Sequence, residues 1–159
     1  MARDKIRALT LKEATIVKRE NPDRPIVAVG VVVWKDDKVL LIRRAKPPRS
    51  GQWSIPGGAQ ELGETVKDTA IREVREETGL DVEVTTFIEV VDFIERDDTG
   101  GVVYHYTLVD WSAEWRGGEA VPGDDVSEIL WADPDELERY GIWSETVRII
   151  RSSAKQRRS

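Results

Sequence analysis

The spacing of apolar and polar positions divides the chain into a clear succession of elements. "VAVGVVVWKDDKVLLIRR" carries two β-branched runs joined by the polar "KDDK", which predicts a hairpin. "AKPPRSGQ" is a loop by its Pro, Ser and Gly content, and "WSIPGG" enters a glycine-bearing loop that runs to Glu64. From Val66 to about Thr78 the apolar positions change to helical spacing: Val66, Ala70 and Val74, with Ile71 beside them, form one stripe. Thr65 stands where an N-cap belongs, with Asp68 three residues on, and Gly79 where a helix stops. "VEVTTFIEVVDFI" and "GVVYHYTLVDW" read as two long strands separated by the polar turn "ERDDTGG". After the loop "WRGGEAVPGDD" come a short strand, "SEILWAD", and a short helix, "PDELERY", with Pro134 at its first position. Trp143, Val147 and Ile150 give a final helix its apolar side. Residues 1–25 are a polar lead-in with room for one short strand, 26–152 form one domain, and 153–159 read as a frayed tail.

Composition narrows the function classes. A chain of 159 residues suits one domain with a real core. The absence of cysteine excludes disulfides, thiolate metal sites and cysteine nucleophiles. A formal net charge of −6 argues against broad binding to nucleic acid or anionic membranes. The longest apolar run, Ile26–Trp34, is too short to span a bilayer, and the N-terminus has no signal-peptide core. The expected location is cytoplasmic.

One helix breaks local rules. Glu73, Glu76 and Glu77 lie three and four residues apart, where side chains are neighbours and like charges repel. Two of them stand in the last turn before Gly79, where the helix dipole disfavours negative charge. On a helical wheel Glu73 and Glu77 flank the apolar stripe, while Glu76 lies further round. Violations of this kind are expected mainly at functional sites.

Gly58, Glu64, Arg72, Glu73, Val74, Glu76, Glu77, Gly79 and Leu80 reproduce, without a gap, the pattern G-x5-E-x7-R-E-U-x-E-E-x-G-U, with U a bulky aliphatic residue. This resembles the Nudix box, the signature of the Nudix hydrolases. The order of elements around it also follows that family, over roughly residues 26–150. The resemblance implies an α/β fold, an α/β/α sandwich with a mixed β-sheet between helices. It implies an enzyme that hydrolyses a phosphorus anhydride, a pyrophosphatase acting on a small nucleotide.

Roles follow position by position from that resemblance. Glu73, Glu76 and Glu77 match acids that hold a divalent metal or activate water, and the Gly58 carbonyl matches a further oxygen ligand. These hard oxygen donors suit Mg2+, with Mn2+ as an alternative. Glu64 and Arg72 match a pair that braces the loop against the helix. Some relatives take their general base from a later loop; here Asp125 is the candidate, with Glu119, Asp124 and Glu128 as rivals. Arg43 and Arg44 end a strand near the expected pocket, where one meets substrate or both face solvent. Trp53 reads as a loop anchor or as a platform for a nucleobase, and Tyr104 and Tyr106 share one strand face. His105 reads as structural.

The implied substrate is a nucleoside diphosphate linked to another moiety, ADP-ribose-type compounds first. A proline that marks one ADP-ribose pattern about sixteen residues after the box is replaced here by Arg96, and a tyrosine marking dinucleoside polyphosphate hydrolases is absent too. Removal of damaged nucleoside triphosphates is the second enzyme reading, and a non-catalytic nucleotide sensor the reading from another class. Many members are homodimers, so a second copy is a possible partner; a membrane is not.

Overall fold

The computed structural model describes residues 18–159; the strand expected within residues 1–25 finds no counterpart in 18–25, and the rest of that lead-in lies outside the described residues. The elements are β1 (Ile26–Lys35), β2 (Lys38–Arg44), β3 (Trp53–Ser54), β4 (Gly57–Ala59), α1 (Val66–Thr78), β5 (Asp81–Arg96), β6 (Val102–Gly117), β7 (Val126–Ala132), a 3-10 helix (Pro134–Tyr140) and α2 (Ser144–Arg157). They form a seven-stranded mixed sheet between α1 and α2. The expected α/β/α sandwich is what the chain adopts.

β1 explains the layering. Its side chains alternate, so Val29, Val31 and Val33 pack with Ala70 and Val74 of α1. Val32 and Trp34 pack instead with Ile149 and Ile150 of α2. A strand buried on both faces needs a continuous apolar run, which is why "IVAVGVVVW" shows no alternation. Each fully buried valine contributes roughly 1.5–3 kcal/mol relative to exposure.

The sheet is forked. β1 pairs with β2 only at Trp34↔Val39 and Lys35↔Lys38, beside the hairpin turn. Beyond that the edge of β1 is taken by β4, through Ala28↔Ala59, Val29↔Gly58 and Gly30↔Gly57. The matching edge of β2 is taken by β3, while β7 covers its other side. The other edge of β1 runs parallel to β6 from Ile26↔Tyr106 to Trp34↔Glu114. The segment expected as a plain loop therefore includes two short strands. Gly57 permits this, because a Cβ there would collide with the Val29 carbonyl.

Helix α1 begins and ends as its sequence requires. The Thr65 hydroxyl accepts from the Asp68 N–H, and Gly79 adopts φ 73°, a left-handed conformation that glycine takes without penalty. The tail departs from expectation. α2 continues to Arg157, and Ser153 is buried, accepting from Trp34 Nε1 at 2.9 Å and sharing a 2.5 Å bond with Ser112. Arg157 pairs with Glu114 and lies over the Trp34 ring. These contacts reach residues far away in sequence, and they hold a turn that local composition alone would leave frayed.

Candidate active site

The fork between β1 and β2 opens into a cavity of about 660 Å³, lined by α1, β4, the 45–49 loop, β6 and the first turn of α2. One corner is acidic. Glu73, Glu76 and Glu77 line it together with Gly57, Gly58 and Ala59. Their burial follows the helical wheel: Glu77 is 9% exposed, Glu73 is half-buried and Glu76 is exposed. Glu77 accepts from the Gly57 N–H at 3.3 Å, and the Glu73 carboxyl lies against Gly58, where any Cβ would strike it.

Burial, and then the neighbouring Glu73 charge, push the Glu77 carboxyl up to about 8. Burial also raises Glu73, against the opposing pull of Arg72. Two crowded acids, half desolvated, favour the ionised state only beside positive charge. Part of that charge comes from Arg72, whose Nη1 donates to Glu73 at 2.9 Å and to Glu76 at 3.1 Å. Its Nε and Nη2 grip Glu64 at 2.7 and 3.0 Å, and Nη2 also reaches the Ala59 carbonyl at 3.1 Å. Arg72 and Thr69 together hold Glu64 down to about 2. The expected brace between loop and helix is thus a fork of five hydrogen bonds on one guanidinium.

Among the described residues no three acidic or imidazole groups converge at metal distance, because Glu73 and Glu76 are turned onto Arg72. The donor set nevertheless fits a hard divalent cation: carboxylates and a backbone carbonyl, crowded at an edge where Arg72 bonds Glu73 and Glu76 but burial still raises Glu73 and Glu77.

Other expected residues divide. Asp125 lines the cavity, pairs with Lys46 at 2.5 Å, and is close enough to Glu77 for its charge to raise that carboxyl. Its rivals do not line the cavity, and Glu128 is paired with Arg43. Arg44 lines the cavity and donates to the Pro48 carbonyl at 2.8 Å. Arg43 does not line it. Its guanidinium is held by the Gly51 carbonyl and by Glu128, as neighbouring strand residues point to opposite sides. Trp53 is both anchor and wall, edge-on to Tyr140 at 5.8 Å while lining the cavity. Tyr104 and Tyr106 stack at 6.4 Å and line it as well, whereas His105 does not.

The sequence reading missed a second set of lining residues. Phe93 and Trp143 meet edge to face at 5.4 Å, and the Arg49 guanidinium lies over both rings. Asp110, in the middle of β6, is 4% exposed and sits on the cavity floor opposite Gly30. The available signals were an acid inside an alternating apolar strand and a glycine inside a β-branched one.

A NUDIX domain family model matches residues 24–152, which is most of the chain. The chain belongs to the NUDIX family. With membership comes the reaction class, hydrolysis of a phosphorus anhydride. This NUDIX chain is 37% identical over 123 residues to an ADP-ribose pyrophosphatase of Methanocaldococcus jannaschii, covering 77% of itself and 70% of that relative. It is 28% identical to an 8-oxo-(d)GTP phosphatase of Mycolicibacterium smegmatis, covering 96% of itself and 48% of that protein. Among solved structures, a MutT NUDIX hydrolase from Burkholderia pseudomallei superposes with a TM-score of 0.71 at 28% identity, over 82% of this chain and 98% of the other.

Proposed function

We propose that this NUDIX protein is a magnesium-dependent pyrophosphohydrolase of a nucleoside diphosphate linked to a second moiety, ADP-ribose-type compounds first. The observation that carries the reading is the division of one cavity into an acidic corner at Glu73, Glu76 and Glu77 and an aromatic corner at Tyr104, Tyr106, Phe93 and Trp143. The first suits a pyrophosphate held through cations, the second a nucleobase. The relative from M. jannaschii, named an ADP-ribose pyrophosphatase, supports the choice of substrate.

Glu73, Glu76, Glu77 and the Gly58 carbonyl would hold the magnesium. A magnesium ion there would neutralise charge developing on the phosphate oxygens. The chain's own work is positioning. Arg72 fixes the β4 backbone and three acids, Glu64, Glu73 and Glu76, at once, and Arg44 faces the same corner as a counter-charge for phosphate. Asp125, which lines the same cavity as Glu77, would take a proton from the attacking water.

Hydrolysis of damaged nucleoside triphosphates is the second reading, supported by the M. smegmatis relative, which aligns along nearly the whole chain. A screen with magnesium against ADP-ribose, nucleotide sugars, dinucleoside polyphosphates and oxidised nucleoside triphosphates tests both. Preference for ADP-ribose is the expected result. Preference for an oxidised triphosphate selects the second reading, and inertness toward all of them, with nucleotide binding retained, makes the protein a sensor.

A further inference from the structure

Asp110 has no part in the acid corner, yet it is a buried carboxyl aimed into the same cavity. We infer that this carboxyl, on the floor beside Gly30, binds the hydroxyl groups of a sugar carried on the second phosphate of the substrate. The inference rests on the function proposed above and names the second moiety.

Register gives the geometry. Gly57 stands opposite Gly30, and Gly30 opposite Asp110, in one row across β4, β1 and β6. Two strand spacings put Asp110 about 10 Å from the Gly57 backbone. The residues of β4 and β1 in that row are glycines and bring no side chain of their own, leaving the space over Gly30 to the Asp110 carboxyl and the Ile55 side chain. Along β6, Tyr106 lies four residues away, about 13 Å at the rise of a strand, with Leu108 between. Asp110 therefore marks a third corner, about 10 Å across the strands from the backbone that meets Glu77 and about 13 Å along β6 from Tyr106.

Gly30 shows that the carboxyl is accommodated deliberately. A Cβ at that position would collide with Asp110 Oδ1 and press on Ile55 Cδ1 at 3.1 Å. Glycine weakens a strand interior, and an aspartate there gives up solvation. Both sacrifices fall on one spot, as expected where binding rather than stability is served.

The chemistry of the corner selects hydroxyl groups. Among the described residues, the hydrogen-bond donor that acts on the Asp110 carboxyl is the Gly30 N–H. The charged groups facing it are Glu89 from β5 and Arg148 from α2, and these are committed to each other in a two-bond pair; Glu145 of α2 also bonds Arg148. β1 contributes no charge. Ala28, Ile55, Val91 and Leu108 line the cavity with Asp110; its carboxylate repels phosphate, and among the described residues the acid that faces it, Glu89, is bonded to Arg148 and is not free to share a cation. Burial raises Asp110 to about 7, so near neutral pH both protonation states are populated. A hydroxyl group donates and accepts, and it satisfies either state.

The test compares ADP-ribose with the methyl ester of ADP, which lacks the sugar hydroxyls, both with magnesium. The wild-type KM should be lower for ADP-ribose by about tenfold or more, the worth of one or two hydrogen bonds. In Asp110→Ala that ratio should fall to about twofold, with kcat on ADP-ribose changing less than KM. Asp110→Asn, nearly isosteric, should lower the ratio about threefold, and it carries the test if the alanine variant fails to fold. An unchanged ratio in a folded variant, with both KM values rising together, would overturn the assignment, as would a wild type without preference. A wild type that hydrolyses no nucleoside diphosphate derivative removes the proposed function first, and this assignment with it.

Discussion

Glu77 and Asp110 are the deeply buried acids of one cavity, and they are buried in opposite company. Both carboxyls are raised, to about 8 and about 7. Glu77 has Glu73 and Asp125 near enough to add repulsion to desolvation. Asp110 has apolar walls, a backbone N–H, and an acid already neutralised by Arg148. The crowded acid needs added cations to be ionised at neutral pH, whereas the solitary one can bind a neutral group in either protonation state. The same burial thus serves two chemistries, and the neighbours decide which.

The sharpest way to break this contrast is to remove one charge at each acid. Glu77→Gln should lower kcat/KM on the best substrate by about a thousandfold, the scale of losing a main charge-stabilising group. Asp110→Asn should lower it less than tenfold. Equal losses would mean that the two acids belong to one machinery.

Magnesium should act on the crowded corner alone. At about a hundred times its dissociation constant it should stabilise the wild type by roughly 2.7 kcal/mol, seen as a raised Tm that a chelator reverses. Asp110→Asn should keep that shift and Glu77→Gln should lose most of it. Without metal, Glu77→Gln should match or exceed the wild type, because repulsion and desolvation are relieved. Glu76→Gln should not gain, since Glu76 is bonded to Arg72. A metal shift retained in Glu77→Gln refutes its assignment as a ligand.

Arg72→Ala displaces the acid corner without touching Asp110. Turnover should fall by about a hundredfold, as small misplacements of catalytic groups do, while the preference for a sugar-bearing substrate persists. Wild-type turnover in the folded variant would show that the five-bond brace is dispensable.

The smallest effect concerns pH and stability. The folded pKa of Asp110 lies above its ordinary 3.8, so the folded state holds the proton more tightly than the unfolded one. Its contribution is complete below that value and is lost as pH rises to about 7. Three units set a ceiling of about 4 kcal/mol, and water entering the open cavity reduces this to on the order of 1–2 kcal/mol. Asparagine has no such term. Denaturant melts from pH 4 to 8 should show Asp110→Asn gaining on the wild type steadily, and a constant difference would place the carboxyl in solvent.

What the sequence disclosed of the site was the part that is contiguous. Gly58, Glu64, Arg72 and the three glutamates fall within 23 residues, and helical periodicity alone predicts that Glu77 is buried and Glu76 exposed. Asp110 and Gly30 are eighty positions apart, and only the parallel register of β1 and β6 brings them together. Arg43 and Arg44 could not be separated because the register shifts between them. The sheet and both covering helices were legible from period; the fork was not, since "WSIPGGA" carries glycines that read as loop and pair as strand. The end of α2 was misread because Ser153 is held by Trp34, 119 residues away.

The fork has an evolutionary meaning. β1 carries on one edge, through β4, the segment proposed to hold the metal, and on the other, through β6, the wall proposed to shape the substrate. Substitutions in the β5–β6 hairpin can therefore exchange what is recognised without moving a box acid, since the two share a strand but no side-chain bond across it. A protein built this way is a fixed engine with a replaceable front. That arrangement lets one hydrolytic chemistry serve many substrates while its signature stays readable in 23 residues.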